Sequence, residues 1–274
     1  MPRLLEYIDR LDRTPVMPLV GYPAARLTQT SIKLNEFNWG VHAWSLHTLY
    51  RKIRPDAVFT LMDLAVEASG IGLQVRFPLF ESPSIEIHPV ENERDLDQFK
   101  AVDILKDGRA DAFVQTIEEL DRLLPPDVLR GAYVTGPFTL AGLLCGANDI
   151  AMNVILKPEL VRRTVQLATS VVTRYALALE EAGADLIMIL DPTAVILGPE
   201  RFSEFAGGFV SILAAALQES SPIYHVCGDT THLLDHFGKL GCEALSLGGE
   251  VDMQEAAERV PEEVVLMGNI SPVE

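Results

Sequence analysis

The chain contains few cysteines and no long apolar run. Its three cysteines among 274 residues are too few and too irregularly spaced for a disulfide framework, so we expect reduced thiols. No segment approaches the roughly 18 consecutive apolar residues that span a bilayer. Residues 1–12 alternate charged and apolar side chains, which a signal peptide does not do. We therefore expect a cytoplasmic protein without a membrane partner.

Positive charge is also scarce. The sequence has 22 Lys and Arg against 39 Asp and Glu, which gives a formal net charge of −17. Nucleic acid repels such a protein unless basic residues are locally concentrated. The densest basic pair, Arg162-Arg163, lies in a helical pattern and is explained by a solvated helix face. The composition argues against a nucleic-acid partner and is compatible with a homo-oligomer.

Short β-branched runs alternate with longer helical patterns, which is typical of parallel βα units. The longest helical pattern runs from Glu159 to Ala182, with Pro158 before it and Gly183 after it. Residues 73–90 break the alternation, and we predict a hairpin insertion there, with extended runs at 73–77 and 84–88. The predicted parallel strands are Val16–Gly21, Ala57–Met62, Ala132–Thr135, Asp185–Leu190, Ile223–Cys227, Ala244–Leu247 and Val264–Met267.

This order of elements predicts one α/β domain over residues 1–274, built as a (βα)8 barrel of the TIM type. The seven predicted strands leave that barrel one strand short. We therefore expect the eighth strand to be missing from this sequence. Either the natural chain continues beyond Glu274, or the barrel is a shortened one with an open seam.

In a barrel of this type the active site lies at the carboxyl ends of the strands. His225 and Cys227 fall there, and their spacing on one strand directs both side chains to the same side. Imidazole and thiolate are good zinc ligands. A buried histidine beside a buried free cysteine explains the same spacing. A zinc site also needs a third ligand, and neither Cys145, in a predicted core helix, nor Cys242, at the opposite barrel end, fits.

Acidic and amide residues follow several predicted strands. Asp63 ends the second strand, and Glu67 follows one helical turn later. A carboxylate there could act as an acid, a base or a ligand-binding group, and an N-cap explains Asp63 equally well. Asp191 has the same two interpretations, because Pro192 favours a turn. Glu250 and Asn269 follow the last two strands and complete the candidates.

Several ordered motifs together resemble the uroporphyrinogen decarboxylase superfamily over essentially the whole chain. That resemblance implies a (βα)8 barrel, in agreement with the strand pattern. The motifs are Met62-Asp63-Leu64, Glu67-Ala68-Ser69-Gly70, Pro83-Ser84, Gly136-Pro137-Phe138-Thr139-Leu140-Ala141, Ala182-Gly183-Ala184-Asp185 through Asp191-Pro192, His225-Val226-Cys227-Gly228-Asp229-Thr230 and Leu266-Met267-Gly268-Asn269-Ile270-Ser271-Pro272.

The superfamily has two main chemistries. Its decarboxylases carry an Arg-rich loop that binds the substrate's carboxylates, and an aspartate that contacts the pyrroles. The corresponding loop here, residues 21–26, has one arginine, whereas Asp63 fits the aspartate position. The branch that resembles methylcobalamin:coenzyme M methyltransferase carries His-x-Cys and a distant cysteine as zinc ligands. His225 and Cys227 match this branch, to which the chain is most similar.

Two features of that branch are not matched. Its third zinc ligand is a cysteine near the C-terminus, which would lie beyond Glu274. An acidic residue often follows its sixth strand, where this chain has Gly248-Gly249, with Glu250 close behind as a substitute.

The resemblance implies zinc-dependent methyl transfer from a methylated corrinoid, such as methylcobalamin, to a small thiol such as coenzyme M. A separate corrinoid protein is expected as partner, because the chain lacks an Asp-x-His-x-x-Gly signature. The alternatives are tetrapyrrole decarboxylation and a non-catalytic relative. The residue assignments are zinc ligands His225 and Cys227, catalytic Asp63, and substrate- or corrinoid-binding Glu67, Asp191, Glu250 and Asn269.

Overall fold

The computed structural model describes residues 4–270, which alternate strands and helices as the sequence pattern predicts. The strands are β1 Ala57–Phe59, β2 Val75–Arg76, β3 Ser84–Ile85, β4 Leu129–Thr135, β5 Leu186–Leu190, β6 Ser221–Val226, β7 Ala244–Leu247 and β8 Val265–Met267. The helices are α1 Leu4–Asp9, α2 Gly21–Leu27, α3 Ile32–Phe37, α4 Trp39–Ile53, α5 Val66–Gly70, α6 Gly108–Leu123, α7 Pro137–Cys145, α8 Ala147–Leu156, α9 Pro158–Glu181, α10 Pro199–Phe202, α11 Gly208–Ala216, α12 Leu234–Phe237 and α13 Met253–Arg259.

Six strands form one curved parallel sheet in the order β1-β4-β5-β6-β7-β8. Parallel neighbours need a crossover, and helices supply it between each successive pair. The carboxyl ends of all six strands therefore meet at one edge. This arrangement confirms the α/β barrel-type fold, and β1 and β8 are the two ends of its sheet within residues 4–270. The predicted hairpin region contains β2 and β3, which pair antiparallel.

The first predicted strand, Val16–Gly21, is wrong. Residues 16–20 are irregular, and Gly21 begins α2. The backbone of Asp56 donates to the Val16 carbonyl at 2.8 Å, and the Asp56 carboxylate accepts from the Val16 N–H at 2.6 Å. Pro18 has no N–H to give to a ladder, so pairing stops after this one contact.

The sheet separates two apolar clusters. The outer cluster fills the space between sheet and helices, and α9 contributes its buried face, with Tyr175 fully buried. The inner cluster lines the concave side and includes Phe59, Tyr133 and Met188. Leu4 of α1 belongs to the inner cluster and closes its amino-terminal end. The Leu4 N–H donates to the hydroxyl of Ser221, the first residue of β6, at 3.1 Å. Polar chemistry is therefore left to the carboxyl-terminal edge.

The ends of the longest helix agree closely with the prediction. The long pattern predicted over 159–182 is α9, which begins at Pro158 and ends at Glu181. Within residues 4–270, no single helix combines the length and apolar character needed to cross a membrane. Helices α7 and α8 meet such a test only as a pair, and they are bent by 102°.

Candidate active site

His225 and Cys227 lie together at the carboxyl end of β6. His225 is the penultimate residue of the strand, and Cys227 follows its last residue. Residues two apart on a strand face the same way, and the structure places His225 Nε2 3.1 Å from Cys227 Sγ. His225 is half-buried and Cys227 is exposed. The pair is therefore open to solvent on one side, unlike two buried core residues.

The other ring nitrogen of His225 contacts Ser246 on the neighbouring strand β7. His225 Nδ1 lies 3.0 Å from the Ser246 carbonyl oxygen and 2.9 Å from its hydroxyl. A carbonyl can only accept, so this contact favours the proton on Nδ1 and leaves the lone pair of Nε2 facing Cys227. Burial also lowers the pKa of His225, which favours the neutral ring. Neutral imidazole anchored in this way is the form that ligates zinc.

The Cys227 thiol lies in a setting that disfavours its thiolate. Burial is the first cause that raises its pKa, and the carboxylate of Glu250 is the second. Gly248 lets the loop containing Glu250 approach closely, because a Cβ there would lie 2.8 Å from Glu250 Oε2 and 2.9 Å from the Gly228 nitrogen. A bound cation would reverse both effects on the thiol. The donor set of His225 and Cys227 therefore fits two positions of a zinc site.

A third donor is not assembled within residues 4–270, where no three His, Cys, Asp or Glu side chains form a metal-binding cluster. Cys145 and Cys242 are buried away from solvent, and burial raises their thiol pKa to about 11 and about 12 respectively. The position that the family resemblance gives to the third ligand, beyond Glu274, lies outside the described residues. Glu250 is exposed beside the pair.

Asn269 shapes the loop after β7. Its side-chain amide donates to the carbonyl oxygens of Gly248 at 2.9 Å and Val251 at 2.5 Å. These bonds join the end of β8 to the segment that contains Glu250. Asn269 therefore organises the rim around Cys227, while its assignment to substrate or corrinoid binding stays a prediction.

Asp63 forms a buried ion pair with Arg109, with side chains 1% and 2% exposed. The other carboxylate oxygen of Asp63 accepts from the Ala65 N–H at 2.7 Å, in the turn that precedes α5. Ala65 is the N-cap residue of α5 and the helix has no side-chain cap bond, so the interpretation of Asp63 as an N-cap is wrong. Arg109 also donates to the Ala65 carbonyl at 3.0 Å. Asp63 thus has little surface to offer a substrate in this conformation, and its catalytic role stays a prediction.

Glu67 and Asp191 are also engaged inside the protein. Glu67 accepts from the N–H and the hydroxyl of Thr135, both at 2.7 Å, and burial raises its pKa to about 7. Asp191 accepts from the N–H of Thr139 at 2.8 Å, from its hydroxyl at 2.7 Å and from the Tyr224 hydroxyl at 3.2 Å. Burial raises the pKa of Asp191 to about 6. Both carboxylates join strand ends to helices, and their predicted contact with substrate is untested.

Sequence reasoning missed Ser246 and Arg109. Ser246 could have been found from strand register, because β6 and β7 place it opposite His225. Arg109 carried no such signal, since an arginine at the second position of a helix is usually solvated. Its partner Asp63 lies 46 positions earlier, and only the packing of α6 on α5 brings the two together.

Comparison with known families identifies the family to which the chain belongs. A sequence model described as uroporphyrinogen decarboxylase (URO-D) matches residues 8–274, nearly the whole chain. The chain belongs to the uroporphyrinogen decarboxylase family. The motif resemblance seen in the sequence is therefore confirmed.

Relatives with both chemistries match the chain. It is 29% identical over 223 residues to the methylcobamide:CoM methyltransferase MtbA of Methanosarcina acetivorans, covering 80% of this chain and 65% of that protein. It is 29% identical over 226 residues to the uroporphyrinogen decarboxylase of Chlorobium phaeobacteroides, covering 79% and 64%. The chain thus spans slightly under two thirds of these relatives' length.

A solved structure shares the fold. The chain matches a methyltransferase from Methanosarcina mazei with a TM-score of 0.89 and 24% identity, covering 98% of this chain and 82% of that one. At this identity the match supports the architecture alone.

Proposed function

We propose that this chain transfers a methyl group from a methylated corrinoid to a small thiol, with zinc bound at His225 and Cys227. The observation that carries the proposal is the contact of His225 Nε2 with Cys227 Sγ at the exposed edge, with Nδ1 anchored on Ser246. Similarity to methylcobamide:CoM methyltransferases supports the same chemistry.

The protein's own residues prepare the thiol site. His225 supplies a neutral nitrogen donor and Cys227 a sulfur donor. Zinc, when bound, supplies the Lewis acidity that stabilises a substrate thiolate at neutral pH. Glu250 and Asn269 define the rim of the site. Glu250 is exposed there, and its carboxylate is of the chemical type that serves as a further metal donor.

Methyl transfer balances without an added oxidant. The thiol releases its proton to solvent, its sulfur forms a bond to the methyl carbon, and the cobalt–carbon bond breaks with its electron pair left on the corrinoid. A separate corrinoid protein is the proposed donor in the cell, and it would approach the carboxyl-terminal edge where Cys227 is exposed. Coenzyme M is the proposed representative of the thiol class.

Tetrapyrrole decarboxylation is the second candidate, because decarboxylases match the chain with similar identity. It depends on Asp63, which Arg109 holds in a buried ion pair. The exposed contact of His225 with Cys227, which decarboxylation does not need, favours methyl transfer. A non-catalytic protein is the third outcome.

The test is a methyl transfer assay with free methylcobalamin and coenzyme M, followed by loss of methylcobalamin absorbance. We expect zinc-dependent activity, its loss with a chelator, and its loss in His225→Ala and Cys227→Ala. Cys242→Ala is the matched control, because this buried thiol does not reach the site. Activity that persists in both site variants would overturn the proposal, and uroporphyrinogen turnover with no metal would favour the second candidate.

A further inference from the structure

We infer that Ser246 is a positioning residue that holds the His225 ring in one tautomer and one orientation, with an unprotonated Nε2 directed at Cys227. The metal-binding consequence rests on the proposed function, whereas the ring geometry does not depend on a metal. Ser246 itself touches neither Cys227 nor any reacting atom in the proposed chemistry.

Strand register places Ser246 for this role. β6 and β7 run parallel, with His225 opposite Ser246. Both oxygens of Ser246 lie within hydrogen-bond distance of His225 Nδ1, the carbonyl at 3.0 Å and the hydroxyl at 2.9 Å. Ser246 is only 6% exposed, so solvent competes little for these contacts. The ring therefore meets two oxygen atoms from one residue on its Nδ1 side.

As long as the ring keeps the observed orientation, the carbonyl decides the tautomer. If Nδ1 lacked its proton, its lone pair would face a carbonyl lone pair at 3.0 Å, which is repulsive. The proton on Nδ1 turns this contact into a hydrogen bond and leaves Nε2 as an acceptor for the Cys227 thiol, 3.1 Å away. The ring nitrogen nearest the cysteine is then the one able to ligate a metal.

The hydroxyl secures the orientation. A histidine ring can turn by about 180° around its last side-chain torsion, since that torsion is broad and roughly two-fold. A second oxygen on the same nitrogen favours the orientation observed. Removal of the hydroxyl leaves one acceptor in place, so we expect a mixture of ring states rather than complete loss of the site.

Metal affinity and ring chemistry provide two separate readouts. We expect Ser246→Ala to weaken zinc binding about 10-fold, the lower end of what loss of a partner of a metal ligand costs. In the metal-free protein, ring ¹⁵N chemical shifts above the His225 titration should show Nδ1–H in the wild type. Ser246→Ala should show a larger share of Nε2–H.

Two further variants control for folding and packing. Ser246→Thr keeps the hydroxyl and should restore both the affinity and the ¹⁵N pattern. Ser221→Ala removes a hydroxyl of similar burial from the other end of β6, where it contacts Glu243 at 2.9 Å, and should change neither readout.

The outcomes separate this inference from the proposed function. A wild type that binds no zinc but shows Nδ1–H, with a shifted tautomer in Ser246→Ala, would refute the zinc site and support the positioning role. A wild-type ring protonated on Nε2 would overturn the inference. So would a Ser246→Ala protein whose tautomer and zinc affinity match the wild type.

Discussion

At the scale of single residues, the protein holds an ion pair in its interior. Arg109 and Asp63 are nearly inaccessible, and the guanidinium also lies 4.7 Å from the ring centroid of Phe77. Charges removed from water cost free energy unless each finds a partner. Removal of one partner therefore leaves the other as an unpaired buried charge, which retains the full cost of its desolvation.

We expect Arg109→Ala to lower the free energy of unfolding by about 3–5 kcal/mol, because Asp63 is left as an uncompensated buried carboxylate. Urea denaturation followed by circular dichroism measures the change. Arg174→Ala is the matched control, since Arg174 pairs with Asp103 at the surface, where solvent screens the charges. Equal urea midpoints for the two variants would show that the Asp63 pair is not buried in solution.

The residue scale also shows what a sequence can predict about a site. His225 and Cys227 were predicted to share a side because strand periodicity is independent of the rest of the fold. The anchoring of His225 by Ser246 and of Asp63 by Arg109 depends on which strands and helices become neighbours. That information is in the topology, which pairs residues far apart in the chain.

At the scale of elements, the turn from β4 into α7 is shaped by close packing. A Cβ on Gly136 would lie 2.3 Å from Asp191 Cγ, and the Asp191 carboxylate accepts from the Thr139 N–H in the first turn of the helix. Asp191 thereby takes the place of a side-chain cap that Gly136 cannot supply. The motif of residues 136–141 thus has a structural explanation.

Gly136→Ala should destabilise the protein by about 1–3 kcal/mol, because the added methyl displaces the Asp191 side chain. Thermal unfolding measures the difference. Gly108→Ala at the start of α6 is the control, because nothing lies within 4 Å of a Cβ there, and it should unfold near the wild-type temperature. A wild-type transition in Gly136→Ala would contradict the packing described here.

Elements differ in how well the sequence predicted them. The ends of α9 were predicted within one residue, because Pro158 and Gly183 bound an uninterrupted pattern. Val16–Gly21 was predicted as a strand, but residues 16–20 are irregular. The Val16 N–H donates to the Asp56 carboxylate instead of to a neighbouring strand, and Pro18 has no N–H to donate. Composition alone does not show which neighbour satisfies a backbone group.

At the scale of the whole molecule, buried carboxylates link stability to pH. Burial raises the pKa of Glu36 and Glu67 to about 7 and that of Asp191 to about 6. The unfolded chain releases these protons at lower pH, near 4 to 4.5. Between these values the folded state holds more protons, so stability is highest at the acidic end of the window and falls as pH rises to about 7.

Glu36→Gln should reduce this loss of stability between about pH 4.5 and 7, because the amide has no proton to release. Neither carboxylate oxygen of Glu36 has a hydrogen-bond partner among the described residues, so the substitution breaks no such bond there. Urea midpoints measured across this range test the prediction. Glu118→Gln, on the exposed face of α6, is the control and should leave the change of urea midpoint with pH as in the wild type. The same change with pH in Glu36→Gln as in the wild type would contradict the prediction.

The overall topology was predictable because alternating strand and helix patterns admit few arrangements, and the family match agrees with it. The position of the candidate site followed from that topology, since parallel strands gather their carboxyl ends at one edge. The third zinc donor could not be located in the same way. No described residue completes a cluster of three around His225 and Cys227.

The most direct test of the central claim is the metal content of the purified protein and of Cys227→Ala, measured by mass spectrometry after dialysis. We predict about one zinc per chain in the wild type and in Cys145→Ala, and its loss in Cys227→Ala. Zinc absent from the wild type after incubation with the ion, or retained equally in Cys227→Ala, would contradict the thiol-activating site proposed at His225 and Cys227.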